Sequence, residues 1–192
     1  MNKNRLKYLA FLTLSAILTS ATAASLSITP VEPFDKQRYL GTWYEIARLP
    51  NPFEDKCQRN ISAEYTLIDN QIQVLNRCEL ADGVEHEAEG LATFQNRSGS
   101  QLSVNFLPAW LRWLPFTDGD YWVIRVDDDY QISLVGEPSG EYLWLLARTP
   151  NLPEAVIQDY LQTAQNAGYD NIDQVIFVKN EAQASTEAQS SQ

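Results

Sequence analysis

Apolar and polar residues alternate without a break along residues 61–67, where Ile61, Ala63, Tyr65 and Leu67 fall on one side and Ser62, Glu64 and Thr66 on the other. A period of two predicts a half-buried antiparallel strand. Segments 41–48, 71–77, 87–94, 101–107, 120–126, 130–136 and 142–148 read as strands as well, each bounded by Asp, Asn, Gly or Ser clusters. Eight consecutive strands with mostly short turns predict an all-β, up-and-down antiparallel meander that either opens into a sandwich or closes into a barrel. Closure removes both exposed edges, so an eight-stranded barrel is the expected fold.

After Arg148 the period changes. In "TPNLPEAVIQDYLQTAQNAGYD" Pro153 sits in a first helical turn, Val156, Ile157, Tyr160, Leu161 and Ala164 recur three and four apart, and Gly168 is a stop. This predicts one C-terminal α-helix whose apolar stripe lies on the outside of the barrel. "QVIFV" (174–178) then reads as a short ninth strand.

Residues 1–23 carry Lys3, Arg5 and Lys7 before an apolar run and end in Ala21-Thr22-Ala23, the pattern of a cleavable secretory signal peptide. The run is about half the ~20 residues that span a bilayer. Residues 24–180 make one domain with its own core, and 181–192 read as a disordered tail. Removing the signal peptide shifts the formal net charge from −11 to −14. A surface so acidic makes nucleic acid and anionic membrane faces poor partners, because both are held mainly through phosphates neutralised by Lys and Arg.

Cys57 and Cys78 flank a predicted hairpin, and an exported chain meets an oxidising compartment, which favours joining them. The bridge would close a loop of about 20 residues and stabilise by roughly 3 kcal/mol. The rival reading, a free catalytic thiol, has only His86 in the whole chain to serve as a base. A lone histidine also gives no metal cluster, and nothing in the sequence requires a cofactor. "GEPSG" (136–140) superficially matches a nucleophile elbow, but it joins two strands rather than a strand and a helix.

The order of signal peptide, "RYLGTWYEIAR" on the first strand, seven further strands, "YLWLLARTP", a helix and a last strand resembles the lipocalin family, and within it the bacterial outer-membrane and apolipoprotein D types. Gly41-Thr42-Trp43 matches the family's G-x-W, Asp120-Tyr121 stands for its T-D-Y with Gly119 in place of the threonine, and Arg148 stands for its late arginine. The resemblance implies that Trp43 lies at the closed end of the barrel with Arg148 packed over it as a cation–π plug, and that Gly41 lets the strand bend there. Glu45 and Ala47 are then expected to follow Trp43 inward. It also implies a fatty acid, lysophospholipid or steroid-like ligand. No cysteine follows the signal peptide to carry a lipid, so this protein is expected to be soluble in the periplasm or secreted, free of the outer-membrane anchor.

A barrel of eight strands with an open mouth has room for one small ligand. Ala63, Tyr65, Val74, Ala88, Gly90, Ala92 and Val104 are the expected inward positions, as core filling or as ligand contacts. The run Ala88, Gly90, Ala92 favours the second, since a packed interior wants bulk there. Glu45 is either a buried acid that receives a polar head group or the partner of an arginine such as Arg125, while Arg48 and Arg77 read as solvated charges.

Residues 107–119, "LPAWLRWLPFTDG", crowd Trp110 and Trp113 among prolines. They form a lid that buries its own aromatics, or a patch for a membrane or a second copy of the chain, or both. The expected function is non-enzymatic: binding and transport or storage of a small hydrophobic ligand in the envelope. An isomerase or de-epoxidase acting on a lipid or carotenoid is the alternative.

Overall fold

The structure is a computed structural model and describes residues 28–181. The signal peptide and residues 182–192 of the tail lie outside the described residues. A short helix α1 (Lys36–Tyr39) leads into eight strands: β1 (Gly41–Arg48), β2 (Cys57–Ile68), β3 (Gln71–Leu80), β4 (Glu85–Phe94), β5 (Gln101–Asn105), β6 (Gly119–Val126), β7 (Ile132–Gly136) and β8 (Leu143–Ala147). Each pairs antiparallel with the next, β8 pairs with β1, and β1 pairs with β2, which closes the ring.

Alternation places two apolar clusters on opposite sides of one wall. Trp43, Tyr65, Val74, Ala92, Leu102 and Leu146 pack inside the barrel. Leu134, Leu143, Leu145 and Ala147 face outward and receive Ile157, Tyr160, Leu161 and Ala164 of α2 (Glu154–Ala167). The helix ends where Gly168 takes φ +110° and its N–H reaches back to the carbonyls of Ala164 and Gln165, a left-handed cap that suits glycine. Arg125 clamps the same helix from the wall, with its guanidinium 3.9 Å from the Tyr160 ring and 2.7 Å from Asp159 Oδ2.

Several expected boundaries move. β2 begins at Cys57 and β3 runs to Leu80, so the cysteines lie within neighbouring strands rather than beside a hairpin, and a disulfide joins them. The strand expected at 130–136 starts at Ile132, because Tyr130 turns the chain at φ +58° while Asp127 Oδ1 accepts from the Gln131 and Ile132 amides. The strand expected at 101–107 stops at Asn105.

The ninth strand, β9 (Ile176–Phe177), is shorter than expected and lies against Ala47 and Arg48 of β1. β1 therefore holds β2 along its first half and β9 along its second. Asn180 closes the gap that remains: its side-chain amide donates to the carbonyls of Glu45 (2.6 Å) and Pro150 (3.2 Å), and its oxygen accepts from the Ile61 amide (3.2 Å).

Candidate functional site: the barrel interior

The floor is built first. Gly41 turns the chain into β1 at φ +91°, with the Arg148 guanidinium 3.5 Å from where a Cβ would sit. Arg148 lies 3.8 Å from the Trp43 ring and donates to the carbonyls of Thr42, Arg38 and Leu40, while the buried Trp43 indole donates to the Tyr39 carbonyl at 2.8 Å. From the β6–β7 turn, Tyr130 supports the same floor: its ring stacks under Arg38 and its hydroxyl accepts from the Asp35 amide. Asp120-Tyr121, the pair matched to T-D-Y by sequence, instead begins β6, and the Asp-Tyr pair at the floor is Asp129-Tyr130.

Above the floor stands a row of hydroxyls. Ser133 Oγ, Tyr39 Oη, Tyr121 Oη and Tyr65 Oη are linked in that order at 2.9, 3.0 and 2.9 Å. Burial pushes all three phenols up, Tyr39 to about 12. They are neutral at any physiological pH.

Higher still the wall opens around a cavity of about 550 Å³, within the range of small-molecule sites. Ala63, Val74, Ala88, Ala92 and Val104 line it, with Tyr65 at its base. Gly90 shares their face, being paired with Val74, but the Phe106 ring comes within 2.8 Å of where its Cβ would be, so an aromatic of this chain fills that vacancy.

Glu45 also reaches the cavity, and what surrounds it differs from expectation. The β1–β8 register slips between Glu45 and Ala47, a bulge that turns Ala47 outward into the helix-facing cluster and Arg48 inward. Arg48 is therefore buried, and its Nη1 lies 2.8 Å from Glu45 Oε1 and its Nε 3.5 Å from Glu54 Oε2. The Trp144 indole and the Asn51 amide donate to the same Glu54 oxygen. Burial first, and then the nearby Glu54, hold the Glu45 carboxyl well above the usual carboxylate range, against the pull of Arg48. Arg125 is on the outer face and takes no part. Arg77 lies on the outer face as expected, paired with Glu64 and Glu87.

The 107–119 segment does not bury its aromatics. Trp110 and Trp113 are 73% and 75% exposed and Phe116 is fully so, all standing outside the cavity. Of the interior residues not singled out, Tyr39 lies before the first strand and carries no alternation signal, while Phe106 is in phase with Leu102 and Val104 but lies just past the end of β5. Trp144 and Leu146 were in a strand pattern and needed only the register of β8.

A barrel stoppered at one end, with an apolar hollow opening at the other, defines a single-chain binding protein for a small apolar molecule. The chain belongs to the lipocalin family: the family model for a lipocalin-like domain matches residues 34–180. It is 39% identical to temperature-induced lipocalin-1 of Arabidopsis thaliana over 144 residues, 73% of this chain and 76% of that one. It is 35% identical to outer membrane lipoprotein Blc of Vibrio cholerae over 171 residues, 87% and 95% of the two chains. With apolipoprotein D of Macaca fascicularis it shares 35% identity over 139 residues, 68% and 69%. Insecticyanin from the tobacco hornworm Manduca sexta shares the fold, with a TM-score of 0.62 at 19% identity over 81% of this chain and 85% of that one. Family and cavity together make this chain a binder of small hydrophobic ligands. Among the described residues no helix is long and apolar enough to cross a membrane.

Proposed function

We propose that the barrel takes up one single-chain amphiphile, a fatty acid or a lysophospholipid, and carries or stores it in the bacterial envelope as a soluble, unanchored protein. The observation that carries this reading is the 550 Å³ hollow, lined mainly by apolar side chains, with Glu45 and Glu54 among the charged residues on its wall. Burying one methylene contributes about 0.8 kcal/mol, so a chain of about fourteen carbons gains roughly 11 kcal/mol gross, and immobilisation reduces this to a micromolar-to-nanomolar affinity.

Ala63, Val74, Ala88, Ala92 and Val104 touch the chain in this reading, and Glu45 meets the head group. The exposed Trp110, Trp113 and Phe116 rest on a neutral membrane face while ligand passes, as aromatic side chains do at lipid–water boundaries. The same patch could instead pair two copies of the chain, and sedimentation would show it. The enzyme alternative loses its thiol nucleophile, since Cys57 and Cys78 are joined and no other cysteine exists in the chain.

Native mass spectrometry of the protein purified from its source tests the proposal. A single bound long-chain amphiphile per barrel is expected; protein that arrives empty and stays empty after incubation with palmitate and lysophosphatidylcholine overturns it.

A further inference from the structure

Four hydroxyls above the floor, on Ser133, Tyr39, Tyr121 and Tyr65, form three hydrogen bonds among themselves and none with any other described group. Four hydroxyls carry four protons, and three bonds use three. One O–H is therefore left over. On Ser133, which is fully buried, the spare proton would have no partner, an outcome folded proteins avoid. The three phenols face the cavity, and Tyr65 is the terminus of the row on that side. Directing the row from Ser133 to Tyr65 leaves each inner oxygen one bond given and one accepted, and presents the free O–H of Tyr65 to whatever fills the hollow.

We infer that the deep end of the cavity is a subsite for a neutral oxygen, so that the preferred ligand carries a hydroxyl, ether or carbonyl oxygen on the end that enters first. This rests on the lipid-binding reading above and narrows its ligand class to oxygenated chains. A carboxylate is disfavoured at that end, because one neutral donor does not offset the loss of its hydration, Arg148 is engaged beneath the floor by backbone carbonyls, and Lys36, which also borders the cavity, sits over the Phe94 ring at 4.5 Å. The acid of a fatty acid therefore stays toward the mouth and the tail goes down. A plain methyl terminus leaves the Tyr65 proton unmet; an ω-hydroxyl meets it.

The test compares myristate and palmitate with their ω-hydroxylated forms on delipidated protein by calorimetry. In an ordinary apolar pocket a tail hydroxyl weakens binding, so the sign alone is informative. The hydroxylated acids are expected to bind the natural protein about tenfold more tightly than their parents, and Tyr65→Phe, which keeps the ring stacked on Tyr39, brings that ratio to about one. Equal or weaker binding of the hydroxylated acids to the natural protein, or a preference that survives in Tyr65→Phe, overturns the inference while the lipid-binding reading stands. If neither parent nor hydroxylated acid binds, both fall.

Discussion

Arg148 shows how much one side chain can hold. Its guanidinium caps the Trp43 ring and donates to four carbonyls, those of Thr42, Arg38, Leu40 and Tyr130. Lysine keeps the charge but not the planar fork, so Arg148→Lys is expected to cost about 2–3 kcal/mol, read as a lower urea midpoint with an unchanged slope. Glu45 makes a prediction of opposite character. Its folded-state pKa is raised, so the stability it contributes is full below the unfolded value of about 4.5 and is lost as pH rises through the folded value. The stability of Glu45→Gln relative to the natural protein should therefore improve as pH rises above about 5; a difference that is flat from there upward would show that Glu45 is ionised throughout. Trp43 and Arg148 were legible in the sequence because a motif marks them. The Glu45–Arg48 pair was not: strict alternation sends Arg48 to solvent, and only the bulge after Glu45 brings it in.

Among the elements, strands with clean alternation and the helix with its three-and-four spacing were readable, because each buries one face against a large partner. Boundaries set by local hydrogen bonding were not, and the β6–β7 turn, made by the Asp127 side chain and a left-handed Tyr130, is the clearest case. The helix and the cavity use opposite faces of the wall, which gives a clean prediction: Leu161→Ala should cost about 3 kcal/mol of stability and leave ligand affinity unchanged. Reducing Cys57–Cys78, which spans a sequence separation of 21, should cost roughly 3 kcal/mol on the chain-entropy account, read by urea unfolding with and without reductant. The 107–119 segment was legible as unusual but not as exposed, since sequence does not say whether a loop's aromatics turn inward. Trp110→Ser with Trp113→Ser should shift stability by less than about 0.5 kcal/mol yet reduce partitioning onto phosphatidylcholine vesicles.

At the scale of the whole molecule, a ring of eight strands closes on itself, a floor of Trp43 and Arg148 seals one end, and β9 with Asn180 completes the seam that β1 and β2 leave open. What remains inside is a hollow that Ala63, Val74, Ala88, Ala92 and Val104 leave open. Whether that hollow binds ligand is read by a calorimetric titration of delipidated protein with lysophosphatidylcholine, run beside an Ala88→Trp variant that plugs the wall. One ligand per chain at micromolar affinity or better is expected for the natural protein, with at least tenfold weaker binding to the plugged variant; equal affinity of the two proteins, or no heat from either, would rule the hollow out as the binding site.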